Sequence, residues 1–425
     1  MRVFQVVIII AGLLSIHPVS LQAQKKQKAP AVLTDEKVYR SLNEALINKK
    51  KVYILNLDGN KLTTIPDEIF KLKNLQELYL RNNSIQVLPD ALWTLSNLQK
   101  LMLGENKLDS IPKKIGSLQY LEEFDLFSNR IKYLPAEIGN LKNLKKIDLN
   151  WNQLDSLPHT FGNLTRLTAL HLERNNLRSL PAGIGNLANL REINLYNNQL
   201  DTLPATFGKL NLITELNLSK NNLKGLPESV NSMTNLMILN LSENKITKLP
   251  DLTGMKSLQK LDVSNNKLKS FGENNLILEN LTDLNLSINE ISNLNVKSSS
   301  LPRLLRLDLE LNRIKSVPSG IFSLITLEYL NLSRNNIERI ENEISQLVNL
   351  KHIYLNNNRI YSVSKFIGNL ENLEYLDMSD NKIRLLQREI DGMKNLKELH
   401  LENNDFSEFQ RKLVKKYLVG PKIYF

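Results

Sequence analysis

Asp125, Asp148 and His171 stand 23 residues apart. Two carboxylates and an imidazole are the side chains that general acid–base chemistry uses, and an interval repeated twice says that one structural unit separates each from the next. If the units stack, the three groups come side by side. Two chemistries would follow: a divalent cation held between them, or an Asp125–Asp148 acid and base pair cleaving a glycosidic bond. Neither has a motif behind it, and stacked units form an open sheet without a closed pocket. The 16 glycines are dispersed, so there is no phosphate-binding loop. There is no cysteine, which excludes disulfides, a thiolate nucleophile, Cys-ligated zinc, iron–sulfur clusters and Cys-linked lipid. The chain reads as non-enzymatic, with no metal and no cofactor.

What must position these residues is a repeat. In Leu75-Gln-Glu-Leu78-Tyr-Leu80-Arg-Asn-Asn83-Ser-Ile85 the frame is L-x-x-L-x-L-x-x-N-x-L. Its asparagine recurs from Asn60 to Asn404 in 16 units, by fourteen steps of 23 residues and one of 22, the short step lying between Asn244 and Asn266. The alternating L-x-L predicts a short strand with leucines inward and the x positions outward. Stacked in parallel at about 4.8 Å, fifteen steps make a sheet roughly 70 Å long. The asparagine is expected to turn inward and bond backbone groups of its own coil and the next. The second half of a unit, as in Leu134-Pro135-Ala-Glu-Ile138-Gly139-Asn-Leu141, starts with a proline suited to the first position of a helical turn. One-turn 3₁₀ or α segments should therefore form the outer side, with no unit able to bury its core alone. The frame resembles the leucine-rich repeat. That implies an α/β solenoid: a horseshoe with a parallel β-sheet on its concave face, short turns on its convex face and about 16 repeats.

The chain of 425 residues is thus one solenoid rather than three domains. Residues 1–23 have the form of a signal peptide, with Arg2, the apolar run 6–14, a His17-Pro18 break and Ala23 before a cut. The apolar run is too short to span a bilayer, which takes about 20 residues, and no second run of that length follows. Residues 24–33 read as a disordered tail and 34–51 as an N-terminal capping helix, in which Ser41-Leu-Asn-Glu44 has the capping-box pattern. Leu42, Ala45 and Leu46 should face inward there. The solenoid covers 52–406, with an irregular convex side at about 268–303, where Phe271-Gly272-Glu273 and the 295–300 segment replace Pro-x-x-Ile-Gly. A hinge and tolerated drift both remain open there. After Pro318 the convex proline is lost. Residues 407–425 form a C-terminal cap: Phe409, Leu413, Val414 and Leu418 are spaced for an amphipathic helix, and Ile423-Tyr424-Phe425 for a last strand. The basic run Arg411, Lys412, Lys415, Lys416 reads as a solvated cap face. Fifty-five Lys+Arg against 44 Asp+Glu give +11, a mild excess that names no acidic partner and does not point to nucleic acid.

The LPxxIGxLxxL-type units, the cysteine-free ends and the secretory start resemble the leucine-rich repeat proteins exported by Gram-negative bacteria, spirochaetes included. The resemblance covers about 31–425. It implies a protein exported to the periplasm, cell surface or medium that binds protein, or alternatively glycan, on its concave face, in some members in host interaction.

Outward strand positions point to where. The middle units show a small polar background: Asn217 and Ser219, Asn240 and Ser242, Asp262 and Ser264, Asn285 and Ser287. Earlier units instead carry Tyr79, Arg81, Met102, Phe127, Trp151, His171, Glu173, Arg174 and Tyr196. Tyr, Trp and Arg are the usual interface anchors, so this stripe is the expected ligand-binding surface. His352, Tyr354, Tyr375 and His400 form a second candidate cluster. Rings that merely stack on one another are the alternative for both.

Overall fold

A computed structural model describes residues 30, 33, 36–272 and 276–425. The expectations for 1–23, and for nearly all of 24–33, lie outside them. The fold is a leucine-rich repeat solenoid with an 18-stranded parallel sheet. Each coil gives one three-residue strand, from Ile54–Asn56 to Glu398–His400. Neighbours pair in strict register, Leu78 opposite Leu101 and Leu216 opposite Leu239. The central residue of each strand is buried, and one apolar core runs unbroken from Tyr39 to Leu418.

The turn after each strand depends on two adjacent residues. From Asn82 to Asn403, the residue just before the frame asparagine is left-handed, with φ of 51–56°. That reversal aims the asparagine inward. Asn106 then donates from Nδ2 to Leu80 O (2.9 Å), Leu103 O (3.0 Å) and Gly104 O (3.2 Å), while its Oδ1 accepts from Ile85 N–H (3.0 Å). Leu80 and Ile85 belong to the preceding coil, so the expected bond to the next coil is corrected: each asparagine ties its coil backwards. Asn60 has no such coil behind it and bonds only Asp58 O.

Among the described residues every helical turn of the convex side is 3₁₀. Ala136–Asn140 follows Pro135, and Leu141 N–H closes on Ile138 O at 3.1 Å. The adjoining glycine permits close stacking: a Cβ on Gly139 would lie 2.4 Å from Thr160 O, and one on Gly208 2.0 Å from Ser229 O. A second ladder, unseen in the sequence, runs beyond these turns, where Asn97, Asn143 and Asn189 each donate to a carbonyl 24 residues back.

The irregular convex region starts one coil earlier than expected. The 22-residue unit after Asn244 already lacks a 3₁₀ turn, since Pro250–Gly254 has one residue too few. In the next two coils Ser270–Phe271 pairs in parallel with Asn293–Leu294, and Asn295 N–H reaches Phe271 O at 2.9 Å. Where the proline is lost later, Arg339–Ile340 pairs with Ser362–Val363, and Ser364 N–H donates to Ile340 O at 3.0 Å. A proline at 364 has no N–H for that bond. Four of the coils without the convex proline thus pair at this margin, while the last, at Leu386-Gln387, does not.

Short helices pack on both ends. In Leu42–Ile47, Ala45 is fully buried and Leu42 and Leu46 lean on the core. The capping box does not form: the Ser41 side chain makes no cap bond, and Glu44 pairs with Lys37. At the other end Ser407 Oγ accepts from Gln410 N–H to start Glu408–Tyr417. Phe409 is 66% exposed, contrary to its expected inward place. Phe406 takes that place, edge-on to Phe425. Lys422–Tyr424 adds a strand beside Glu398–His400.

Candidate functional site

The concave face is less free of structural demands than its outward direction suggests. Asn217, Asn240, Asn285 and Asn331 each accept the N–H two residues ahead at 3.0–3.1 Å, and the following serine hydroxyl caps the same oxygen. The Asn/Ser background is therefore a row of side-chain turns. Asp125 and Asp148 join it, accepting from Phe127 N–H and Asn150 N–H at 2.9 Å.

The N-terminal stripe separates into two groups. In the first, Arg81 reaches across the Met102 coil to Asp125, an ion pair spanning 44 residues of sequence. Met102 is buried beneath it, its Sδ 3.8 Å from the guanidinium. Gly104 makes the space, since a Cβ there would stand 2.8 Å from the Asp125 carboxylate. Tyr79 donates to Glu77 Oε2 (2.7 Å), and Lys100 bridges Glu77 (3.3 Å) and Glu123 (3.6 Å). Burial, then the Glu77 bond, raises the Tyr79 phenol well above its ordinary range. Phe127 is half-buried at the end of the Asp125 turn.

The second group lies along the margin of the sheet. Trp151 and Arg174 both occupy left-handed positions, at φ 56° and 54°. The Arg174 guanidinium covers the Trp151 ring at 3.9 Å and stands 6.0 Å from the Tyr196 ring, which Lys220 approaches at 5.4 Å. Glu173 holds the row, with Oε1 3.5 Å from Arg174 Nε and Oε2 accepting from Asn194 at 3.0 Å. Trp151 stays 45% exposed. His171 sits between the groups, Nδ1 3.6 Å from Asp148 and Nε2 3.7 Å from Glu192. The Asp148 contact raises its pKa above the ordinary value. Asp125, Asp148 and His171 do stand opposite one another on successive strands and line one depression of about 150 Å³, but Asp125 is turned to Arg81, and of the two aspartates only Asp148 touches the imidazole. No group of three His, Asp or Glu is arranged for a metal ion among the described residues.

The second cluster is larger than the sequence suggested. Tyr329, Tyr354, Tyr375, His400 and Tyr424 follow one another across five strands, at centroid distances of 5.4, 5.1, 5.3 and 4.4 Å. His352 lies 6.5 Å from Tyr329 and 6.3 Å from Tyr375. Arg306 closes the ribbon 4.0 Å over Tyr329. Arg306, Tyr329 and Tyr424 were missed, although Leu-Glu-Tyr-Leu recurs at 327–330 and 373–376 and flags Tyr329 as equivalent to Tyr375. Burial pushes the Tyr329 and Tyr375 phenols up to about 12. Beside the ribbon lies a depression of about 340 Å³ lined by Asn240, Asp262, Asn285, Arg306, Asp308 and Tyr329.

With this geometry established, the comparisons agree on its class. Residues 50–108, 302–360 and 361–406 match the family "Leucine rich repeat", and 124–198 and 183–307 match "Leucine-rich repeat region". A leucine-rich repeat protein of Leptospira interrogans is 34% identical over 92% of this chain and 100% of its own, with a TM-score of 0.66. The chain belongs to the leucine-rich repeat family. It is also similar to a plant peptide hormone receptor solved in complex with RGF2 (25% identity, 91% of this chain, 80% of that one, TM-score 0.54). A third likeness is to Drosophila Toll in its complex with Spatzle (25%, 86% and 52%, TM-score 0.68). No curated protein matches. The fold is one typical of protein-interaction scaffolds, and its family is generally non-enzymatic. Among the described residues no helix is long and apolar enough to cross a membrane.

Proposed function

We propose that this protein is a non-enzymatic scaffold that grips a protein partner with the N-terminal half of its concave face. The observation that carries the reading is the Trp151–Arg174–Tyr196 row: an exposed indole, a guanidinium fixed over it and a phenol beyond, each on a successive coil. Held ahead of contact, such groups lose little entropy on binding, and they are the residue types that dominate interface energetics. The stripe from Tyr79 to Tyr196 crosses six strands, roughly 25 Å, which suits a partner surface of about 800 Å² per side. The bound receptors among the similar structures support a protein ligand. We read residues 1–23 as a cleaved leader, 24–33 as a tail, and 34–51 and 407–425 as caps. On this reading the protein is exported to the periplasm, cell surface or medium, with a role in host or envelope interaction.

The test is a pull-down from host and envelope extracts with wild type and with Tyr79→Ala/Phe127→Ala/Trp151→Ala. A partner captured by wild type and lost by the folded variant supports the reading; equal capture overturns it. The second reading, a carbohydrate-binding surface protein, draws on the ribbon of rings from Tyr329 to Tyr424, whose faces and hydroxyls suit sugar rings. Release by free glycan rather than by salt would select it.

A further inference from the structure

The N-terminal end of the solenoid carries a surface that neither packing nor the concave site uses. Ile47 ends its short helix with 83% of its surface exposed. The following 3₁₀ turn, Lys49–Lys51, is three exposed lysines. Among the described residues none of the three has an acidic partner, whereas Lys37 pairs with Glu44 and Lys71 with Glu68 at 3.9 Å. Lys73, exposed in the next coil, contacts only the neutral Thr94 hydroxyl (3.2 Å). The turn is fixed, not frayed: Lys51 N–H donates to Asn48 O at 2.8 Å, and Asn74 Nδ2 donates to Lys50 O at 2.9 Å. A single exposed isoleucine is ordinary. One standing at the rim of uncompensated ammonium groups, on a rigid turn, is the pairing that a lipid surface selects: apolar insertion together with attraction to phosphates.

We propose that this end docks on an anionic phospholipid surface. Ile47 enters the headgroup layer, and Lys49, Lys50, Lys51 and Lys73 face the phosphates. The surface lies at the first coils, on residues that precede the strands Ile54–Asn56 and Glu77–Tyr79 and include none of the concave stripe. It stands independently of the partner site. Each lysine near an anionic leaflet strengthens binding roughly fivefold, and the attraction fades as salt shortens the Debye length below about 10 Å.

The experiment is vesicle co-sedimentation of the chain from Gln24 onward, which keeps every described element. Vesicles are phosphatidylcholine with and without phosphatidylglycerol. Residues 24–35 are common to all variants, so any contribution from them cancels. Wild type should bind the phosphatidylglycerol vesicles and release with salt. Lys49→Glu/Lys50→Glu/Lys51→Glu should bind at least about a hundredfold more weakly. Ile47→Asn should bind several-fold more weakly at every salt concentration. Both variants alter exposed side chains, and unchanged thermal unfolding confirms their fold. Equal sedimentation of wild type and the lysine variant, equal binding to pure phosphatidylcholine, or binding indifferent to Ile47 and matched by a soluble acidic polypeptide would each overturn the proposal.

Discussion

The Arg174 guanidinium lies 3.9 Å over the Trp151 ring, and both residues occupy the left-handed turn just before a buried asparagine. Asparagine tolerates that backbone region better than most residues, so Trp151→Asn removes the ring with little strain. Because Trp151 is exposed, unfolding free energy should change by less than about 1 kcal/mol. Affinity for the partner should fall at least about tenfold, as for a hot-spot aromatic. Arg174→Ala should weaken binding as well and unmask the indole. Iodide quenching reads this cleanly, because the other tryptophan, Trp93, is buried. Full affinity in both variants would remove the row from the binding surface.

The asparagine ladder makes a position-dependent prediction. Asn198 donates to Leu172 O, Leu195 O and Tyr196 O and accepts from Leu177 N–H, all at 2.9–3.4 Å and almost entirely away from solvent. Asn198→Ala leaves those groups unpaired and should cost about 2–3 kcal/mol in chemical denaturation. Asn60→Ala, which gives up one exposed bond to Asp58 O, should cost under about 1 kcal/mol. Equal losses at the two sites would contradict the backward-tying role.

These contrasts show what the sequence could and could not carry. The frame determines strand, register and core because every coil repeats the same local demand. Its period places Tyr79, Trp151 and Tyr375 on one face without any knowledge of side-chain direction. The left-handed step before each asparagine stayed hidden, since residues as different as Trp151, Ile288 and Asp380 occupy it. There the tie to the preceding coil overrides intrinsic preference. The Arg81–Asp125 pair was equally hidden, because it skips a coil and depends on Gly104 leaving room. Tyr424 was missed as a ring partner because the last strand follows a helix instead of the repeat frame. The early onset of the irregular convex side, by contrast, was already written in the 22-residue step.

His171 makes stability depend on pH. Its pKa lies above the ordinary 6.5, first through the Asp148 contact, with Glu192 adding. A group whose folded pKa is raised contributes stability that is fully present below the unfolded value and is lost as pH rises through the folded value. Melting temperature should therefore decline from about pH 6.5 upward across the raised pKa of this residue. His171→Gln should flatten that decline, and Asp148→Asn should remove most of it. A wild-type profile matching that of His171→Gln would rule the linkage out.

The final strand tests whether the aromatic ribbon is structural. Tyr424 stacks on His400 at 4.4 Å and 11°, and its carbonyl accepts from Leu401 N–H at 2.9 Å. In a solenoid each coil answers mainly to its neighbours, so damage at the end stays local. Tyr424→Ala forfeits a ring pair of about 1 kcal/mol. Amide exchange at Leu401 and at Lys422–Tyr424 should accelerate roughly fivefold, while exchange in the central coils stays as in wild type. Tyr424→Phe keeps the ring and should restore protection. If Leu401 exchanges at the wild-type rate in Tyr424→Ala, the stack does not hold the strand, and the rings from Tyr329 to His400 are then better explained by a ligand than by closure of the sheet.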